Sequence, residues 1–73
     1  MGEISIDVVG KTCPVPLVEV RKAIRQAEEG DIITVRGTHK ASRKEIPMAI
    51  DAMGFEIVSN EQEGETWTIK IKI

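Results

Sequence analysis

Trp67, Ile69, Ile71 and Ile73 alternate with Thr66, Thr68, Lys70 and Lys72, so the last stretch of the chain is apolar on one side and polar on the other. Successive residues of a strand point to opposite faces, and this spacing is that of a strand with one wet face. Ile4, Ile6 and Val8 alternate with Glu3, Ser5 and Asp7 in the same manner, in a run that ends at Gly10. Such strands need cover on one side only. The fold they demand is a sheet with one buried face and one open face.

Between these strands the period changes twice. After Cys13, Leu17, Val20, Ile24 and Ala27 fall on one helical stripe, with Glu19, Arg21, Lys22 and Arg25 largely outside it. Cys13 is expected to cap this first helix, and Gly30 to stop it at the C′ position. Asp31 to Arg36 holds Ile32, Ile33 and Val35 between two glycines and reads as a second strand. A loop from Gly37 to Ala41 follows. Ser42-Arg43-Lys44-Glu45 then has the spacing of a capping box, and Ile46, Ala49, Ile50 and Met53 repeat at helical intervals up to Gly54. With Ser42 as the cap, Pro47 is the fifth helical residue and forfeits a backbone hydrogen bond, which predicts an irregular first turn or a later start. Phe55 to Glu61 reads as a third strand and Gln62-Glu63-Gly64 as a tight connection to the fourth.

The order β-α-β-α-β-β makes this an α+β chain. Right-handed crossovers between parallel strands set both helices on one face and leave the Ser5, Thr34, Thr68 and Lys70 side exposed, giving a two-layer α/β sandwich. If the first two strands are parallel, the loop carrying Cys13 and the loop from Gly37 to Ala41 leave the sheet at the same end. His39 and the basic residues after it would then border the thiol.

At 73 residues the expected organisation is one domain, residues 1–73. The single cysteine rules out an internal disulfide, and a zinc site of four cysteines or of two cysteines and two histidines. The N-terminal run lacks the basic and apolar segments of a signal peptide, and no stretch approaches the ~20 apolar residues of a membrane span. The expectation is a cytoplasmic protein in a reducing compartment, with no membrane partner. A net charge of −2, with Phe55 and Trp67 as the only aromatic residues, argues against direct nucleic-acid binding through basic grooves and stacking platforms. Charge is unevenly distributed all the same. Residues 36–44 hold Arg36, Lys40, Arg43 and Lys44 without an acid, and residues 56–65 hold Glu56, Glu61, Glu63 and Glu65 without a base.

Cys13 is the candidate reactive group. At a helix start the unpaired N–H groups and the helix dipole favour the thiolate, which is the nucleophilic form. Pro14 and Pro16 stand at the first and third helical positions if Cys13 is the cap, where their missing N–H groups cost little. They make the exit direction of the cysteine rigid. Only Val15 among those three residues then keeps an N–H with which to stabilise a thiolate. Dithiol redox chemistry needs a second cysteine at residue 16, which is proline. Protease chemistry needs a histidine base, and His39 is the sole candidate. What remains for a lone, rigid thiol is to accept a group and hand it on. Sulfane sulfur suits it, because a second cysteine in the same chain would intercept the cargo as a disulfide.

Asp7-Val8-Val9-Gly10-Lys11-Thr12-Cys13-Pro14-Val15-Pro16, followed by Val20-Arg21-Lys22, closely resembles the N-terminal signature of the TusA/SirA-like (Cys-Pro-x-Pro) sulfur carrier family. The resemblance continues through Glu45-Ile46-Pro47 and Met53-Gly54-Phe55-Glu56-Ile57-Val58 and so covers nearly the whole chain. It implies a mixed four-stranded sheet in the order 1-2-4-3. It also implies a sulfurtransferase in which Cys13 receives sulfur as a persulfide from a cysteine desulfurase or other donor protein and relays it to an acceptor protein. The implied pathways are thiolation of tRNA, molybdenum-cofactor supply, sulfur oxidation and selenium metabolism. No cofactor is implied for the carrier, since any pyridoxal phosphate belongs to the desulfurase. Two positions depart from the family pattern: Lys11 stands where leucine is common, and Thr38-His39-Lys40 where acids are common. Both add positive charge near the cysteine.

The plain reading of Lys11, His39, Lys40, Arg43 and Lys44 is solvated surface, and the functional one is partner docking or tuning of the thiolate. Met48 and Met53 read as helix packing, and Trp67 as core or sheet-face filler. The competing function is a non-catalytic regulatory module that binds protein or RNA, with Cys13 incidental.

Overall fold

A computed structural model of the chain describes residues 2–12 and 14–73. Six elements follow in order: β1 (Glu3–Val8), α1 (Val15–Gln26), β2 (Ile32–Gly37), α2 (Lys40–Ala52), β3 (Glu56–Glu63) and β4 (Thr66–Lys72). The strands form one mixed sheet in the order β1-β2-β4-β3. β1 and β2 are parallel, with Val8 opposite Gly37, while β4 runs antiparallel to both β2 and β3.

Val8, Ile33, Val35, Trp67, Ile69 and Ile71 of the sheet and Val20, Ala23, Ile46 and Ile50 of the helices are buried together in one core. At about 1.5–3 kcal/mol for each large side chain removed from water, this cluster outweighs the exposed ion pairs Lys22–Glu19 and Arg36–Asp7, for which about 0–1 kcal/mol is typical. Ser5, Lys70, Arg36 and Lys72 are exposed on the other face, with Thr34 and Thr68 half-buried. The sheet is covered on one side, as the alternation required.

The ends of the elements depart from expectation. Helix α1 is capped by Pro14 rather than Cys13, so Val15 is the first helical residue and Pro16 the second. Its last turn closes at Ala27, whose backbone is already extended, and Gly30 belongs instead to the turn in which Asp31 N–H donates to the Glu28 carbonyl. Gly30 has a φ of 93°, which a side chain would resist. The same turn carries a buried carboxylate, since Asp31 accepts the Gly2 N–H at 2.8 Å and the Glu28 N–H at 2.9 Å.

Helix α2 starts at Lys40 with His39 as its cap, not at Ser42. Ser42 keeps its capping-box spacing to Glu45 but lies inside the helix, buried, with its N–H donating to His39 Nδ1 at 3.3 Å. Pro47 is therefore the eighth helical residue, and α2 continues through it to Ala52. Met48 is 72% exposed and Met53 38% exposed, so neither is the helix-packing residue it was expected to be. β3 runs two residues further than expected and joins β4 through Gly64 and Glu65, with Gly64 at a φ of 61°. It also contains a bulge between Ile57 and Ser59, after which Asn60 pairs with Ile69 and Gln62 with Trp67. Residues directly opposite on neighbouring strands share a face, so Asn60 and Gln62 lie on the helix side of the sheet.

Candidate functional site

Parallel pairing of β1 and β2 brings two loops out of the same end of the sheet, as the sequence suggested. Val8 is followed by a tight turn in which Lys11 N–H donates to the Val8 carbonyl at 3.0 Å, with Gly10 at a φ of 79°. Asp7 Oδ1 accepts the Val9 N–H at 3.0 Å, and the other carboxylate oxygen lies 3.6 Å from Arg36. The Asp-x-x-Gly spacing thus shapes the turn: an acid bonds the backbone two residues on, and a glycine takes the left-handed position. Thr38 Oγ1 then accepts the Gly10 N–H at 3.1 Å, tying this loop to the one between β2 and α2.

Beyond the turn, Val15 N–H donates to the Thr12 carbonyl at 3.0 Å, and Val18 N–H to the Pro14 carbonyl at 3.0 Å. The one donor that was expected to serve a thiolate among the first helical residues is therefore committed to Thr12. Pro16 is buried and anchors the start of α1, while Pro14 is exposed. Cys13, the expected reactive group, lies outside the described residues. Val9, Val15 and Val18 flank its position in sequence and are each about two-fifths exposed, at 41%, 39% and 42%. They give this end of the molecule an apolar rim that sequence reading did not pick out.

The second loop is set by Trp67. Its buried indole lies against Gly37 and donates its Nε1–H to the His39 carbonyl at 2.9 Å. His39 is half-buried, not a solvated loop residue. Its Nδ1 lies 2.8 Å from Ser42 Oγ, and its backbone carbonyl also receives the Arg43 N–H at 3.3 Å. Lys40, Arg43, Lys44 and Pro47 occur at i, i+3, i+4 and i+7 on α2 and line one side of an open pocket of about 500 Å³. Asn60 and Gln62 line the other side and Trp67 contributes to the floor. Arg43 joins the two walls, with Nε donating to Asn60 Oδ1 at 3.1 Å and Nη1 donating to Gln62 Oε1.

The structure thus brings Lys40, Arg43 and Lys44 together in one pocket, places His39 at the N-terminus of their helix as its cap, and leaves Lys11 exposed on the neighbouring loop. The pocket's amide wall was not legible beforehand. Asn60 and Gln62 join it only because the bulge reverses the facing of the end of β3, and nothing in their own spacing announces that. Among the described residues, no group of three or more His, Cys, Asp or Glu side chains is placed to hold a metal ion, and no helix is long and apolar enough to cross a membrane.

The family model described as sulfurtransferase TusA matches residues 4–73. The chain is 34% identical over 67 residues to a candidate sulfur carrier protein of Archaeoglobus fulgidus, covering 92% of both chains. It is 34% identical over 70 residues to a candidate sulfur carrier of Thermotoga maritima, covering 94% of this chain and 89% of the relative. The sulfur carrier protein TusA of Pseudomonas entomophila is 26% identical over 68 residues, covering 93% of this chain and 85% of that one. Among solved structures, the SirA-like protein of Desulfitobacterium hafniense superposes with a TM-score of 0.79 at 26% identity, covering 97% of this chain and 95% of that one.

Proposed function

From the premise that the chain belongs to the TusA family of sulfur carriers, we propose that it relays sulfane sulfur on Cys13 as a persulfide. The observation that carries this reading is the lone thiol within Asp7-x-x-Gly10-x-x-Cys13-Pro14-x-Pro16, inside a family match that spans residues 4–73. In the loading step the Cys13 thiolate attacks the terminal sulfur of a donor protein's persulfide. The new S–S bond forms on Cys13 as the donor's own S–S bond breaks, and the donor leaves as a thiolate. Discharge repeats the step with an acceptor protein as nucleophile, so no external oxidant or reductant enters. A cysteine desulfurase is the proposed donor. Delivery toward tRNA thiolation is the leading candidate among sulfur-trafficking routes, and the cytoplasm is the reducing compartment that would keep the thiol free.

Pro14 and Pro16 support the relay by fixing the backbone after the cysteine. Pro16 does so through burial and Pro14 as the cap of α1. Lys11, Lys40, Arg43 and Lys44 are the proposed docking cations, and His39 positions the last three by capping their helix. Because Val15 N–H is spent on Thr12, thiolate stabilisation falls to the α1 dipole and to these cations.

Incubation with a cysteine desulfurase and cysteine, followed by intact mass, tests the proposal. A one-sulfur adduct is expected that reductant removes and that Cys13→Ser lacks, and its absence from the unaltered chain overturns the reading. A non-catalytic interaction module would instead retain its cellular role in Cys13→Ala.

A further inference from the structure

The pocket between α2 and the end of β3 holds more positive charge than its own surroundings neutralise. Among the described residues, the ion pairs are Lys22–Glu19 and Arg36–Asp7, and Lys40, Arg43 and Lys44 belong to neither. Arg43 is instead oriented by two neutral oxygens, Asn60 Oδ1 and Gln62 Oε1, and Gln62 is itself fixed by its Nε2–H donating to the Gly64 carbonyl at 2.9 Å. A guanidinium held by amides keeps its full charge while its direction is set. Among the described residues, its Nη2 and the two lysine ammonium groups remain as uncommitted donors.

We propose that this pocket receives one carboxylate side chain of a partner protein. The inference rests on the carrier reading and deepens it, since the pocket sits at the end of the sheet from which the Cys13 loop leaves. Three observations select a carboxylate over a nucleic-acid backbone. First, the cations lie within little more than one helical turn, a single focus of charge and not a track that follows successive phosphates. Second, Glu61 and Glu63 lie on the open face of the same edge strand and Glu65 in the turn after it, and the whole chain carries −2, so a polyanion that continues round this edge from the pocket meets repulsion. Third, Pro47 and Trp67 give the walls and floor apolar surface, which suits the short methylene stem behind a carboxylate. The partner's matching surface is an acid that enters the pocket, with a base placed to reach round the edge strand toward Glu61 and Glu63.

The test is an NMR titration of the isotope-labelled full chain with three probes. These are a capped, amidated pentapeptide carrying one glutamate among alanines and glycines, its glutamine twin, and a tetrathymidylate. Saturating shifts are expected at the Trp67 indole N–H and the Asn60 and Gln62 side-chain amides with the glutamate peptide. Affinity should fall about tenfold for the glutamine twin and, toward the glutamate peptide, for Arg43→Gln, the scale of one charge-assisted contact. The double variant Lys40→Gln/Lys44→Gln serves if Arg43→Gln fails to fold. Equal response to both peptides, no response at these groups, or tighter binding of the tetrathymidylate overturns the proposal. The sulfur adduct on Cys13 is measured separately: a chain that titrates as described but takes up no sulfur refutes the carrier reading and leaves the pocket assignment standing.

Discussion

The indole Nε1–H of Trp67 donates to the main-chain carbonyl of His39 at 2.9 Å, joining the core of β4 to the cap of α2 across 28 positions of sequence. One face of the ring fills the core while its polar edge holds the helix that bears Lys40, Arg43 and Lys44. Trp67→Phe keeps most of the apolar burial but removes the donor and leaves a small void. We expect a loss of about 2 kcal/mol, read as a lower urea midpoint by far-UV circular dichroism.

Gly37 faces the same ring. A Cβ built there would stand 2.6 Å from Trp67 Cζ2, 2.8 Å from Cη2 and 3.0 Å from Val8 Cγ2. The residue is glycine because the indole occupies the space of a side chain. Gly37→Ala is expected to cost about 1–3 kcal/mol by overpacking and to shift Trp67 emission, whereas alanine at exposed Ala52 replaced by serine would do neither.

His39 caps α2 through a ring nitrogen, with Nδ1 accepting the Ser42 N–H. His39→Ala should lower stability by about 1 kcal/mol, and His39→Asn should recover most of it because asparagine is a preferred cap. Thermal unfolding of the three proteins at one pH checks the order; equal midpoints for the alanine and asparagine variants would contradict the capping role.

The Gly10 N–H bond to Thr38 Oγ1 ties the two loops at the candidate site directly to each other. Thr38→Val removes the acceptor and keeps the shape. Hydrogen exchange at the Gly10 amide should accelerate about fivefold, corresponding to one net hydrogen bond, with global stability changed by less than about 0.5 kcal/mol.

Much of the fold was legible because periodicity reports which side of an element is wet. The alternations in β1 and β4 and the stripe of Leu17, Val20 and Ile24 placed the core correctly, and the family resemblance supplied the strand order. Helix ends were less legible, because several residues compete to satisfy the same N–H groups. Ser42 has the better capping chemistry, yet His39 holds the cap, since its carbonyl is fixed by Trp67 and its ring lies within reach of Ser42. Met53 fell on helical spacing that continued past the end of α2, and Met48 lies between buried Ile46 and Ile50 but off their stripe, on the side turned away from the sheet. At the site, the shared end of β1 and β2 and the basic residues of α2 could be foreseen. The union of Arg43 with Asn60 and Gln62 could not, since it spans 17 and 19 positions and depends on a local irregularity.

That irregularity acts as a parity rule. Plain alternation from Ile57 onward would turn Ser59, Glu61 and Glu63 toward α2 and send Asn60 and Gln62 to the open side. Arg43 would then face carboxylates of its own chain, and the pocket would be electrically closed before any partner arrived. Val58, the one surplus residue, reverses the count, so that odd and even positions exchange roles along the rest of the strand. The acids are turned outward as a separate surface, and the cationic one stays open.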